Sequence, residues 1–126
     1  MAKCRILIVD DDPWIVEIIA ELLRDEGHSP ILATTGEEAL TLIQQRSPDL
    51  ILLDLKLPGL GGEEVIRELR RAGFDIPVVM LTAASDPFPM GVPPNISAYL
   101  AKPFEILDLL ALVNRFCPDH TLDPVV

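Results

Sequence analysis

The sequence predicts an α/β domain built on a doubly wound, five-stranded parallel sheet. Short β-branched and apolar runs alternate along the chain with segments whose apolar residues recur every three or four positions. Leu50 to Leu55 is apolar except for Asp54, the signature of a strand buried on both faces, as parallel sheets require. The acidic residues Asp10, Asp11, Asp12 and Asp54 stand at or near the ends of such runs. In open α/β sheets, chemistry collects at the carboxyl ends of the strands.

Arg5 to Val9 is the first strand, closed by Asp10-Asp11-Asp12 and Pro13. Asp12 and Pro13 suit an N-cap and first helical position. Ile15, Ile18, Ile19, Leu22 and Leu23 form the apolar stripe of the helix that follows, and Gly27 stops it. Pro30 to Thr34 is a short second strand. Thr35 with Glu38 fits a capping box, opening a helix with Ala39, Leu40, Leu42 and Ile43 on its apolar face. The third strand follows Pro48 and runs into the Pro58-Gly59 and Gly61-Gly62 turns. Glu63 to Ala72 is a third helix with Val65, Ile66 and Leu69 inward, closed by Gly73. Ile76 to Leu81 and Ser97 to Ala101 are strands four and five, and Glu105 to Phe116 is the last helix, with Ile106, Leu109, Leu110 and Val113 inward.

The alternation calls for a helix between strands four and five, but Asp86 to Pro94 holds four prolines and a glycine. Each interior proline costs a helix about 3 kcal/mol. A proline-rich loop is expected to replace that helix.

At 126 residues the chain is one domain, and 49% hydrophobic content with mean hydropathy +0.34 is enough for a sizeable core. Residues 1–118 are read as that domain and 119–126 as a tail or the start of a linker. Net charge is −10 with pI near 4.4, which argues against direct nucleic-acid binding, since that needs a basic footprint. No signal-peptide pattern or membrane-length apolar run is present, so a cytoplasmic location is expected. Cys4 and Cys117 have neither CxxC nor zinc-ligand spacing and are expected to be reduced.

In the flavodoxin-like order 2-1-3-4-5, strands one and three are neighbours and Asp10, Asp11 and Asp54 converge. Carboxylates that close repel by about 4 kcal/mol per pair at an effective dielectric near 20. A hard divalent cation, Mg²⁺ first, offsets that cost and leaves room for a phosphate oxygen. Thr82 and Lys102 end strands four and five on the same edge. A hydroxyl, an ammonium and a cation around a carboxylate can stabilise a transferring phosphoryl group, and Asp54 as nucleophile would form an aspartyl phosphate. Taken singly, each residue has a plainer role: Asp12 as a cap, Thr82 as a strand end, Lys102 as a solvated lysine, Tyr99 as core.

The motifs ILIVDDDP, ILLDLKLPGLGG, VVMLTA and YLAKPF, together spanning about Lys3 to Cys117, resemble those of two-component response-regulator receiver domains. The resemblance implies that Asp10 and Asp11 bind Mg²⁺, that Asp54 is the phosphoacceptor, and that the backbone carbonyl of Lys56 completes the metal shell. It makes Thr82 the switch hydroxyl, Lys102 the phosphoryl counter-ion and Tyr99 the coupled switch aromatic. It implies a histidine kinase or histidine phosphotransfer protein as donor, slow self-catalysed dephosphorylation, and an output domain or partner outside this chain. Two departures stand out. Gly61 replaces an Asp common in the family's turn, and the proline-rich stretch removes part of the family's usual dimerisation face.

Two other readings use the same residues. A receiver-like binding module would signal without phosphorylation through the proline-rich loop. A hydrolase of the haloacid dehalogenase type would use Asp10-x-Asp12 as its DxD, with Asp10 rather than Asp54 as nucleophile.

Overall fold

A computed structural model describes residues 4–83 and 95–117. In chain order its elements are β1 (Arg5–Val9), α1 (Pro13–Asp25), β2 (Ser29–Ala33), α2 (Gly36–Arg46), β3 (Leu50–Asp54), α3 (Gly62–Arg71), β4 (Val78–Thr82), β5 (Ala98–Ala101) and α4 (Ile106–Phe116). All strand pairs are parallel, in the order β2-β1-β3-β4-β5. The expected topology is therefore observed. Strand four starts at Val78, two residues later than its apolar run, because Pro77 has no N–H to give the ladder. The proline-rich stretch Asp86 to Pro94 lies outside the described residues.

Alternation along the strands builds two cores. Leu7, Val9, Ile51, Leu53, Val78 and Met80 face α2 and α3, meeting Ala39, Ile43, Val65, Ile66 and Leu69. Ile6, Ile8, Leu50, Leu52, Val79 and Leu81 face α1 and α4, meeting Val16, Ile19, Ala20, Leu23, Leu109 and Val113. Strand β3 is buried along its whole length, which explains why its sequence lacks polar alternation.

Caps place the helices as the sequence suggests. The Asp12 side chain accepts from the Trp14 N–H at 3.0 Å, a contact worth about 1 kcal/mol to α1. Thr35 Oγ1 accepts from the Glu38 N–H at 3.1 Å, while Glu38 reaches back to the Thr34 N–H at 2.9 Å, one residue before the cap. Gly27 and Gly73 end α1 and α3 at φ of 90° and 92°.

Two helix stripes differ from the periodicity reading. In α1 the buried set is Val16, Ile19, Ala20 and Leu23, while Ile18 is 55% exposed. In α4 only Leu109 and Val113 are buried, and Ile106 is exposed. Both helices carry more apolar surface than the sheet can cover, so the stripe drawn from sequence was too wide and partly misplaced.

The cysteine expectation is corrected. Cys4, just before β1, and Cys117, the C-cap of α4, are joined in a disulfide with Cα atoms 6.1 Å apart. Their separation of 113 residues hid the pairing, because only the folded sheet with α4 packed on it brings the two residues together.

Gly62 fixes how α3 leaves the end of β3. A Cβ there would lie 2.5 Å from the Asp54 carbonyl oxygen and 3.0 Å from the Leu55 Cα, both backbone atoms that cannot swing aside. At Gly61 a Cβ would meet only the Glu64 side chain, at 3.7 Å. Gly62→Ala is therefore expected to lower unfolding free energy by roughly 1–3 kcal/mol, the range for overpacking, with Gly61→Ala within about 0.5 kcal/mol of the parent. Denaturant unfolding of both variants checks this, and equal stabilities would refute the close approach.

Candidate functional site

The site lies where β1, β3, β4 and β5 end on one edge of the sheet. Asp10 follows β1 directly and Asp54 closes β3, and the register pairs Val9 with Leu53. Both carboxylates are therefore set at the ends of adjacent strands by the core-facing residues before them. Asp10 is 1% exposed and Asp54 7%, whereas Asp11 is open to solvent. One carboxylate oxygen from each of the three lies within 4.8 Å of the others.

Backbone amides steady the two buried acids. The Asp12 N–H donates to Asp10 Oδ1 at 3.0 Å, and the Lys56 N–H donates to Asp54 Oδ1 at 3.3 Å. Lys102 comes from the end of β5, where its N–H donates to the Thr82 carbonyl at 2.6 Å. Its ammonium donates to Asp10 Oδ2 at 2.5 Å and lies 3.5 Å from Asp54 Oδ2. Thr82 is buried at the end of β4, opposite Ala101 and one position beyond the Asp54–Leu81 pair. Asp10, Asp11, Asp54 and Lys102 thus come together as expected, with Thr82 at the adjoining strand end.

Electrostatics follow from this placement. Burial pushes the Asp54 carboxyl above the usual range and Asp10 adds to the rise, while Lys102 and the Lys56 amide oppose it. Burial works against the charge on Lys102, but Asp10 and Asp54 together outweigh it and hold the ammonium above its usual value. Among the described residues, Lys102 pairs with Asp10 and Asp54, while Asp11 adds a further carboxylate, so negative charge is in excess. Oxygen donors with that surplus are what a hard divalent cation takes, so the residues fit Mg²⁺.

Tyr99, on the edge strand β5, is 42% exposed rather than core. Its neighbours Ala98 and Leu100 pack toward α1 and α4, so alternation turns Tyr99 to the opposite face. Trp14 is 77% exposed one turn from the acids.

Sequence reasoning missed an apolar groove of about 510 Å³ between α1 and the segment after β5, lined by Ile15, Ile18, Leu22, Phe104 and Ile106. Lys102 also lines it, so the groove borders the acidic site. The signal was present in the sequence as the surplus width of the α1 stripe.

Comparison with known proteins gives a consistent result. Residues 6–114 match the response regulator receiver domain family. The DNA-binding response regulator MtrA of Mycolicibacterium smegmatis is 43% identical over 112 residues, covering 87% of this chain and 49% of MtrA. The response regulator MprA of Mycobacterium sp. (strain KMS) is 40% identical, covering 96% of this chain and 60% of MprA. The chain spans about half the length of the curated relatives it matches. A Francisella response regulator receiver domain superposes with a TM-score of 0.82 at 31% identity, covering 90% of this chain and 95% of that one. The response regulator TrrA of Thermotoga maritima, solved in complex with Mg(2+)-BeF, superposes at 0.81 with 35% identity, covering 90% and 98%. With its fold, acidic edge and sequence in agreement, the chain belongs to the response-regulator receiver domain family of two-component systems.

Proposed function

We propose that this receiver accepts a phosphoryl group from a phosphohistidine onto Asp54, with Mg²⁺ held by Asp10, Asp11, Asp54 and the Lys56 carbonyl. The observation that carries this reading is the placement of Asp54 within reach of a half-buried counter-ion, Lys102, among clustered carboxylates. An Asp54 carboxylate oxygen attacks phosphorus, the P–N bond breaks, and the imidazole nitrogen keeps the electron pair and takes a proton. Lys102 opposes the effect of burial on Asp54 and so favours the carboxylate form that attacks. A bound Mg²⁺ would neutralise charge on the phosphoryl oxygens. Thr82 and Lys102 then take up the new charge on Asp54, and Tyr99 follows Thr82.

The donor is a histidine kinase or histidine phosphotransfer protein, for which the apolar groove beside Lys102 offers a docking face next to Asp54. Residues 1–118 are the receiver domain and 119–126 a C-terminal tail or the start of a linker. The MtrA relative is named as DNA-binding; here the acidic receiver contributes no nucleic-acid contact, and the output lies in a separate domain or partner. No described helix is long and apolar enough to cross a membrane, in keeping with a cytoplasmic receiver.

Incubation with Mg²⁺ and acetyl phosphate should add one phosphoryl mass to the intact chain and none to Asp54→Asn. An adduct that persists in the variant would move the nucleophile elsewhere, and no adduct with Mg²⁺ bound would favour a module that signals without phosphate.

Lys102→Ala is expected to keep Mg²⁺ binding, because it removes a cation that competes for Asp10 and Asp54. Titration followed by the fluorescence of Trp14 measures it. Loss of binding in the variant would contradict the counter-ion role.

Without Mg²⁺, Asp54→Asn should raise Tm at pH 7 by a few degrees, the shift expected of roughly 1 kcal/mol in a domain this size. The sign follows from the raised carboxyl: the folded state holds its proton more tightly than the unfolded chain, so the parent loses stability as pH rises through that range. The gain in the variant should therefore shrink as pH falls through the carboxylate range. A gain that is flat with pH, or a loss, would refute the electrostatic cause.

A further inference from the structure

We propose that Cys4 and Cys117 act as a redox-governed clasp that fixes α4 to the start of β1. The two Cα atoms lie 6.1 Å apart, a separation that a disulfide spans without moving the backbone. Both side chains sit in the core between α1, α4 and the sheet, Cys4 at 1% and Cys117 at 7% exposure. The two ends are not equally anchored. The Cys4 carbonyl accepts from the Ser29 N–H at 2.9 Å, so Cys4 is tied into the sheet whatever the state of its sulfur. Cys117 ends a helix that buries only Leu109 and Val113, while Ile106 and Leu107 lie open. Making or breaking the bond therefore acts on α4 and leaves β1 in place.

A permanent staple would suit an oxidising compartment. A receiver fed by phosphohistidine works where thiols are kept reduced, and disulfides there are typically transient or redox-sensing; this step rests on the function proposed above. The oxidant is a small disulfide of the glutathione class. A thiolate at Cys117, reached when the last turn of α4 frays, attacks one sulfur of that disulfide and releases one thiol. The Cys4 thiolate then attacks the mixed disulfide at Cys117 and releases the second thiol. Two protons and two electrons leave the protein, and one S–S bond is exchanged for another. Reduction reverses both steps and leaves α4 held by packing alone, with Leu109 and Val113 buried and Leu110, Leu112 and Phe116 partly so.

The test uses the full chain, equilibrated across ratios of reduced to oxidised glutathione. Thiols are trapped with N-ethylmaleimide and counted by intact mass, and hydrogen exchange is followed in residues 106–117. Expected is one two-electron step from two trapped thiols to none, the clasped form being lighter than the trapped reduced form by two maleimide adducts and two hydrogen atoms. Reduction should speed exchange in 106–117 by at least about tenfold and leave the amides of β1 and β3 unchanged. Cys117→Ser should show the fast exchange at every ratio, and Cys4→Ser serves if that variant fails to fold. No thiol trapped under the most reducing native condition would mean a permanent bond and overturn the proposal. So would two thiols trapped under the most oxidising condition, a stable glutathione adduct, or a redox step that leaves α4 exchange unchanged. Phosphorylation plays no part in these readouts, so failure of the acetyl phosphate experiment and failure of the clasp are told apart.

Discussion

Everything at the working edge depends on keeping two carboxylates, Asp10 and Asp54, buried at the ends of adjacent strands. Left alone, such a pair at close range would repel by about 4 kcal/mol at an effective dielectric near 20. Lys102 contacts both and draws on a third strand to do so. The parallel sheet makes this arrangement possible: β1, β3 and β5 all end on the same edge, and the apolar interiors of β1 and β3 offset the repulsion at that polar rim. Turning any one strand over would scatter the three groups to opposite ends of the sheet.

The chain resolves the competition between folding and reactivity by separating the tasks along each strand. Residues 50–53 are fully sealed between helices and fix position, and Asp54, still buried, ends the strand with a charge to use. Gly62 and the Lys56 amide then shape the turn around it, one by lacking a Cβ and the other by donating to Oδ1. Asp12 does two jobs of a similar kind: its side chain caps α1 while its own N–H holds Asp10.

Much of this was legible in the sequence. A single acid in an otherwise apolar run says little alone and gained meaning from the second acidic cluster, Asp10-Asp11-Asp12, whose place before Pro13 fits a strand-to-helix junction. Asp10, Asp11, Asp54 and Lys102 followed from topology once the strand order was assumed. What escaped was what depends on surfaces meeting at a distance. Periodicity placed Ile18 and Ile106 inward because it registers apolar character and not which arc the sheet has room to cover. The Cys4–Cys117 pairing escaped because nothing local marks two residues 113 positions apart as neighbours.

The uncovered arc of α1 and α4 also bears on how the molecule behaves in bulk. Ile18 and Ile106 line one apolar groove, and Trp14 and Leu107 on the same two helices are exposed as well, a degree of apolar exposure that favours association of like molecules. Ten units of net negative charge act the other way, holding copies apart at neutral pH. Near pH 4.4 that repulsion vanishes while the apolar exposure remains. The acidity of the chain is thus a colloidal counterweight to its exposed apolar side chains.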